Sequence, residues 1–137
     1  MDIEVTNQPD EHLESLLLEG LRKFNSNHSN GTVEQLSVYA RNEEQALIGG
    51  LTAATFGKWL HIDVLWVDSI ERKRGVGTQL LLAAEQQGIQ RGCIGSTLDT
   101  YSFQALDFYL KQGYSQFGLL EGYAGKYQRH YLQKSLI

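Results

Sequence analysis

The stretch from Val67 to Leu82 constrains the fold of this chain more than any other. An extended apolar run, Trp59 to Val67, enters a short charged loop, and two glycines then lead into a segment with helical periodicity. This order predicts a strand, a loop and a helix start in succession. A helix start exposes unpaired backbone N–H groups at the positive end of the helix dipole, so it favours an anion.

The charged loop carries features that suit a phosphate group. Gly75 and Gly77 lack a Cβ atom, which lets an anion approach the backbone closely. Arg72, Lys73 and Arg74 supply three positive charges, and arginine can hold phosphate oxygens in a bidentate manner. A solvated basic loop, whose glycines only form the turn, is the alternative. The loop alone does not decide between the two.

Two nucleotide-binding motifs do not fit this loop. A P-loop requires a lysine followed by serine or threonine after its last glycine, whereas Thr78 follows Gly77 directly. The dinucleotide fingerprint requires a third glycine, and Leu80 occupies that position. A phosphate site therefore needs support from other parts of the chain.

Length, charge and cysteine content limit the class of protein. A chain of 137 residues suits one compact domain, 1–137, and a net charge of −4 without a broad basic stripe argues against a nucleic-acid partner. The acidic balance suits a cationic acceptor. There is no signal peptide or membrane-length apolar stretch, and the single Cys93 fits a reducing compartment. We therefore expect a cytoplasmic protein without membrane contact or a metal site, with Cys93 buried and inert.

Hydrophobic periodicity predicts the element order β-α-βββ-α-β-α-ββ. Helices are predicted at 11–23, from 76 to a terminator between Gly88 and Gly92, and at 102–112. Strands are predicted at 3–6, 34–41, 46–55, 59–67, 93–100, 114–119 and 129–134. This order indicates an α/β (α+β) domain with a mixed, mostly antiparallel sheet of six to seven strands and helices on both faces.

Two motifs in this context resemble one family. Arg72-x-x-Gly75-x-Gly77 is similar to the acetyl-CoA signature of the GNAT N-acetyltransferase superfamily. That family often carries Asn-x-x-Ala-x-x-x-Tyr-x-x-x-Gly-Phe after its fifth strand, and the corresponding residues here are Ser102, Ala105, Tyr109, Gly113 and Tyr114. Ser102 departs from the pattern, which weakens the cofactor contact that the motif implies for it.

The resemblance implies acetyl-CoA as cosubstrate. The pyrophosphate would lie on the glycine loop and helix start, and the pantetheine arm between the fourth and fifth strands. A backbone N–H near Leu65 or Trp66 would stabilise the oxyanion of the tetrahedral intermediate. The residues implied to bind the cofactor are Leu65, Trp66, Val67, Arg72, Lys73, Arg74, Gly75, Val76, Gly77, Thr78, Ser102 and Tyr109.

Three side chains are candidates for catalysis. Period-two alternation predicts His61, Asp63, Leu65 and Val67 on one face of the fourth strand. Either His61 or Asp63 could accept the proton of the amine, or Asp63 could anchor a cationic acceptor; a structural pair is the alternative. The resemblance places Tyr109 near the cofactor sulfur as an acid for the leaving thiolate, whereas a core tyrosine is the structural alternative.

The predicted function is transfer of an acetyl group from acetyl-CoA to a primary amine of a small molecule. A non-catalytic acyl-CoA-binding sensory or regulatory module, and acetylation of a peptide or protein amine, remain open. The acceptor pocket is expected among the loop 25–31, the hairpin near Tyr39, and the connection 120–128 with Glu121 and Tyr123. Strand edges near the C-terminus make a homodimer a candidate. The acceptor itself is not identified by the sequence.

Overall fold

A computed structural model describes residues 1–28, 31–123 and 125–137. The chain forms two compact units, 1–32 and 33–137. The first unit contains helix α1 (Glu11–Ser26). The second contains, in chain order, β1 (Glu34–Arg41), β2 (Leu47–Phe56), β3 (Trp59–Val67), α2 (Val76–Gln90), β4 (Gly95–Tyr101), α3 (Leu106–Lys111), β5 (Ser115–Leu120) and β6 (Arg129–Ser135).

Helix α1 confirms the predicted helix at 11–23 and extends it to Ser26. Asp10 caps its start, because the Asp10 carboxylate accepts a hydrogen bond from the backbone N–H of Leu13 at 3.0 Å. The strand predicted at 3–6 is wrong, since these described residues form no strand. Ile3 and Val5 are strongly exposed. Two alternating apolar residues are too few to specify a strand when no neighbouring strand pairs with them.

The second unit is built on one mixed sheet with the strand order β1-β2-β3-β4-β6-β5. Only the β3–β4 pair is parallel among the pairs that the described residues form, and the other four pairs are antiparallel. The predicted α/β domain with a mixed, mostly antiparallel sheet is confirmed, with six strands. Strand β6 inserts between β4 and β5, so the last two strands run in reverse spatial order.

Helices α2 and α3 contribute to a core on one face of the sheet, which we call the helix-covered face. Buried α2 residues Leu80, Leu81 and Ala84 belong to the same core as the buried residues of the sheet and Tyr109 of α3. The buried sheet residues of this core are Leu51, Ala53, Leu60, Ile62, Leu98 and Leu132. Cys93 is also buried there, and burial raises the pKa of its thiol, so the predicted inert thiol matches its environment.

Helix α3 is shorter than predicted, because it begins at Leu106 and not at Ser102. The backbone N–H of Ser102 donates to the Gln128 carbonyl at 3.0 Å, and the Ser102 hydroxyl accepts from the Gln128 N–H at 3.0 Å. The Tyr101 N–H donates to the Gln104 side-chain oxygen at 3.0 Å. These bonds fix residues 102–105 as a turn, so the helix starts only after them.

A buried polar network ties α2 to the sheet and to the residue before β5. The Tyr114 hydroxyl lies 2.9 Å from Glu85 Oε2 and 2.8 Å from Ser96 Oγ, and Lys134 Nζ lies 2.9 Å from Glu85 Oε1. Because a phenol has one proton, Tyr114 donates to the carboxylate and accepts from Ser96. Burial raises the pKa of Tyr114, so its hydroxyl stays neutral. Glu85 is thus buried with both oxygens satisfied.

We expect Tyr114→Phe to lower the free energy of unfolding by roughly 1–3 kcal/mol, because it leaves Glu85 Oε2 and Ser96 without a partner in a buried site. Denaturant unfolding would measure the change. Tyr39→Phe is the matched control, since the Tyr39 side chain is 59% exposed and its hydroxyl has no hydrogen bond among the described residues. Equal stability of the two variants would contradict the structural role of the network.

Candidate active site

The parallel strands β3 and β4 pair over only three residues and then separate. The pairs are Trp59 with Gly95, Leu60 with Ser96, and His61 with Thr97. Beyond them β3 continues to Val67 and β4 to Tyr101 without further pairing between these two described strands. We call the space between residues 62–67 of β3 and 98–101 of β4 the opening. It lies at the carboxyl ends of parallel strands, where α/β domains bind ligands.

A β-bulge in β3 lies at the start of the opening. Strand β2 pairs Ala53 with Ile62 and Thr52 with Val64, so Asp63 is left without a partner on β2. Two residues of β3 therefore occupy the space of one, which reverses the alternation of the side chains that follow. The bulge places Asp63 at the point where the strands separate.

The bulge overturns part of the predicted face assignment. Leu65 and Val67 pack against the core, and Val67 Cγ2 lies 3.7 Å from the position that a Cβ atom on Gly77 of α2 would occupy. His61 and Asp63 are exposed instead. Hence His61 and Asp63 do not share a face with Leu65 and Val67. The prediction failed because period-two counting assumes a regular strand.

His61 and Asp63 line a shallow pocket on the face opposite α2, which we call the second face. This pocket has a volume of about 240 Å³ and is lined by Gln35, Thr52, Ala53, Ala54, His61 and Asp63. The His61 imidazole and the Asp63 carboxylate therefore line one pocket at the edge of the opening. Both groups can accept a proton or hold a cation.

The opposite wall of the opening carries a second polar pair. Asp99 lies on the same face of β4 as Thr97, which pairs with His61. Asp99 Oδ1 accepts a hydrogen bond from Arg129 Nε at 2.9 Å, and this bond raises the pKa of Arg129. Neither Asp99 nor Arg129 was predicted from the sequence. Alternation along β4 could have indicated Asp99, whereas Arg129 lies on a distant strand and gave no local signal.

The start of α2 offers unpaired backbone donors. Gly75 caps the helix with φ of 81° and makes no side-chain cap, and the first turn contains no acidic residue. The Gln79 N–H donates to the Gly75 carbonyl at 3.0 Å. The N–H groups of Val76, Gly77 and Thr78 therefore lack an acceptor within the described part of the chain. Such a helix start can bind an anion.

The three basic residues before this helix differ in their surroundings. Arg72 Nε donates to the Val67 carbonyl at 3.1 Å, which fastens the loop to the end of β3. Arg74, whose side chain is 68% exposed, lies 3.3 Å from Glu71, whose side chain is 21% exposed. An ion pair with a solvated guanidinium is weak enough to exchange for another anion. Lys73 is exposed and has φ of 65°. Two of the three predicted phosphate-binding charges are thus accessible without breaking a bond to the backbone.

The two glycines of the loop serve different purposes. A Cβ on Gly75 would meet nothing within 4 Å, so its positive φ is the reason for glycine. A Cβ on Gly77 would lie 3.4 Å from Phe108 Cζ of α3, so its small size allows close packing. Thr78 Oγ1 also accepts a hydrogen bond from Gln112 Nε2 at 3.1 Å. The start of α2 is therefore held against α3.

Tyr109 of α3 is buried, with 7% of its surface exposed. Its ring centroid lies 5.2 Å from that of Phe108 and 5.9 Å from that of Tyr114. Burial raises the pKa of Tyr109 to about 12, so the phenol keeps its proton at neutral pH. The hydroxyl has no hydrogen-bond partner among the described residues. A neutral phenol of this kind can donate a hydrogen bond.

The remaining residues that were predicted for the site are spread over several elements. The Ser102 hydroxyl already accepts a hydrogen bond from the Gln128 N–H, which leaves its proton and one lone pair available to a cofactor. Tyr39 is on β1, Glu121 is exposed, and Tyr123 stacks on Tyr101. In the predicted acceptor segments 25–31 and 120–128, residues 29, 30 and 124 lie outside the described residues.

The known proteins that resemble this chain are acetyltransferases. The model of the acetyltransferase (GNAT) family matches residues 3–114. A blasticidin-S acetyltransferase from Streptomyces morookaense is 38% identical over 105 residues, which cover 76% of this chain and 77% of that protein. An acetyltransferase structure from Bacillus cereus is 30% identical with a TM-score of 0.87, covering 96% of this chain and 97% of that one. A structure from Agrobacterium tumefaciens is 26% identical with a TM-score of 0.91, covering 98% and 99%.

A more distant structure shares the fold alone. An aminoglycoside 6'-N-acetyltransferase complexed with coenzyme A is 21% identical, with a TM-score of 0.67, and covers 100% of this chain and 98% of that one. The fold and the family match define the class of protein, an N-acetyltransferase. The chain belongs to the acetyltransferase (GNAT) family. Within the described residues, no helix is both long and apolar enough to cross a membrane.

We expect Gly75→Ala to lower the free energy of unfolding by roughly 1–2 kcal/mol, because an L side chain with a Cβ is strained at φ of 81°. Gly75→Asn is the matched control, since asparagine adopts this backbone region more readily. Thermal unfolding of both variants would measure the difference. An alanine variant as stable as the asparagine variant would show that the cap is not strained.

Proposed function

We propose that the protein transfers the acetyl group of acetyl-CoA to a primary amine of a small molecule. The observation that carries this proposal is the opening between β3 and β4 followed directly by the uncapped start of α2. A diphosphate would lie against the N–H groups of Val76, Gly77 and Thr78. Its thioester arm would enter the opening beside Leu65, Trp66 and Val67. The acetyltransferase relatives, and the coenzyme A complex of the same fold, support this arrangement.

The proposed cofactor contacts divide between backbone and side chains. The helix start and the unpaired edge of β3 supply backbone donors and acceptors, including an N–H near Leu65 or Trp66 for the oxyanion. Lys73 and Arg74 would add positive charge near the diphosphate. Arg72 would act on the loop itself, since it already holds the Val67 carbonyl. Ser102 would contribute its hydroxyl proton or its remaining lone pair, since one lone pair already accepts from Gln128.

The reaction requires one bond to form and one to break. A primary amine is protonated at neutral pH, so it must first lose a proton to a base. The nitrogen lone pair then attacks the thioester carbonyl carbon, and a C–N bond forms while the carbonyl oxygen becomes an oxyanion. The nitrogen, which now carries a positive charge, loses a second proton as the C–S bond breaks, and the departing coenzyme A thiolate takes up an equivalent proton. The products are an amide and a free thiol.

Asp63 or His61 would serve as the base. Both line the same pocket, but Asp63 lies on the bulge at the start of the opening, whereas His61 is the last residue paired with β4. Asp63 is therefore closer along the strand to the position where the thioester would lie. In an alternative arrangement, Asp63 holds a cationic acceptor and His61 takes the proton.

Tyr109 would donate a hydrogen bond to the leaving sulfur. Because its pKa is about 12, the phenol stays neutral and does not readily give up its proton completely. A neutral donor in a buried site stabilises negative charge that develops on sulfur. Its role is thus closer to electrostatic stabilisation than to full acid catalysis.

The proposal also covers the class of acceptor, the location of the protein and its oligomeric state. The relative named for blasticidin-S supports a small-molecule acceptor over a peptide or protein amine.

We further propose a single N-acetyltransferase domain, 1–137, located in the cytoplasm, that forms a homodimer. Strand β5 is at the edge of the sheet and carries the exposed Leu119 and Leu120. Edge backbone and apolar side chains favour association.

Incubation with acetyl-CoA and a panel of amines, with free thiol as the measurement, tests the reaction. We expect turnover with at least one small amine, and we expect Tyr109→Phe to lower kcat roughly 10²-fold while acetyl-CoA affinity is retained. Bound acetyl-CoA without turnover on any amine would instead support a sensory or regulatory module. A phenylalanine variant with full activity would remove the role of Tyr109.

Loss of kcat/KM in matched variants distinguishes the two candidate bases. We expect Asp63→Asn to lower kcat/KM roughly 10²-fold, because the base is lost. His61→Gln is the matched comparison and should have the smaller effect. The reverse order would identify His61 as the base. Small effects in both variants would exclude both residues.

A further inference from the structure

An aromatic cluster stands beside the opening on the side of β4. It consists of Tyr101, Phe103, Tyr123, Tyr127 and the guanidinium of Arg129, and we call it the Tyr101 cluster. The Tyr101 and Phe103 rings are parallel within 1°, with centroids 5.3 Å apart. Tyr101 and Tyr123 are parallel within 14° at 5.4 Å, and Tyr127 meets Phe103 edge-on at 4.7 Å. Tyr101 is thus stacked against two nearly parallel rings, which are the outer rings of this stack, Phe103 and Tyr123.

The outer rings of this stack remain accessible. Phe103 is 55% exposed and Tyr123 is 38% exposed. Tyr101 is the last residue of β4, and none of the stacked rings belongs to the core on the helix-covered face. A fixed set of flat, exposed rings favours contact with another planar π system. Core packing alone does not account for it.

Arg129 adds a directional polar group to the cluster. Its guanidinium carbon lies 5.9 Å from the Tyr101 ring centroid and 5.5 Å from that of Tyr123. Arg129 Nε is bonded to Asp99, whereas its two terminal nitrogens have no hydrogen-bond partner in the part of the chain that the structure describes. The side chain is 27% exposed. A guanidinium held in place with unused donors can bind a carbonyl or carboxylate oxygen.

We propose that the Tyr101 cluster binds a planar ring of the acceptor, and that Arg129 binds an oxygen on that ring. The acceptor would then be an amine carried by a flat aromatic or heterocyclic molecule bearing a carbonyl or carboxylate. The ring would lie on the β4 side of the opening. Its amine would reach the β3 side, where Asp63 and His61 line their pocket. This inference rests on the proposed acetyl transfer and specifies its substrate class.

Two matched series of primary amines test the inference. One series carries an aromatic ring with a carboxamide or carboxylate, and the other carries the saturated ring of the same size with the same substituent. With acetyl-CoA and free thiol as the measurement, we expect the wild-type protein to favour the aromatic series about tenfold in kcat/KM. Phe103→Leu and Tyr123→Leu should each reduce this ratio severalfold. Phe56→Leu, an exposed aromatic at the end of β2, should leave it unchanged.

Arg129→Lys tests the polar contact separately. It keeps the charge and loses the planar fork, so we expect a selective loss on acceptors that carry the ring oxygen. The same acceptors without that oxygen are the control. Equal losses with and without the oxygen would show that Arg129 acts only on the structure.

The inference would be overturned by equal use of aromatic and saturated amines, or by cluster variants that leave the ratio unchanged. Where no amine is turned over, calorimetric titration of both series in the presence of coenzyme A decides instead. Preferential binding of the aromatic series that is lost in Phe103→Leu would support the ring site even though acetyl transfer had failed. Absence of any preference in binding would refute the ring site.

Discussion

The short pairing between β3 and β4 is the constraint on which the rest of the candidate site depends. Its paired end is held firmly: Ser96, which pairs with Leu60, also belongs to the buried network of Glu85 and Tyr114. A Cβ on Gly95 would lie 2.6 Å from the Trp59 ring, so the indole covers Gly95 closely. One end of the strand pair is thus held by buried contacts, and the opening lies at the other end.

The bulge at Asp63 lets β3 place apolar side chains in the core and a carboxylate beside the opening. Without the extra residue, the alternation that buries Leu60 and Ile62 would turn Leu65 and Val67 towards the second face. With it, all four apolar side chains lie on the helix-covered face, as their burial and core contacts indicate. The strand therefore keeps its packing against α2, while a carboxylate is placed where the strands separate. The bulge therefore places a polar residue beside the opening and disturbs the packing of the core very little.

Short stretches of sequence predicted the structural features that depend only on neighbouring residues. The limits of β1 and β3 matched the predicted strands, because alternation and turn residues define them within a short window. The bulge at Asp63, the turn at Ser102 and the burial of Glu85 escaped prediction because each depends on a distant partner. Glu85, for example, is buried because Tyr114 and Lys134 satisfy its two oxygens, and neither lies near it in sequence. For the same reason the glycine loop could be predicted from sequence, but Arg129 could not.

The two sides of the opening differ in what a mutation can change. On the side of α2 the candidate donors are backbone N–H groups, whose positions follow from the helix start and the conformation of Gly75. Side-chain replacement there alters charge but leaves those donors in place. Across the opening, Tyr101, Asp99 and Arg129 present side chains, and any of them can change without loss of a strand. In the proposed arrangement this division would allow cofactor binding to be kept while the acceptor changes, because the two proposed contact sets have few residues in common.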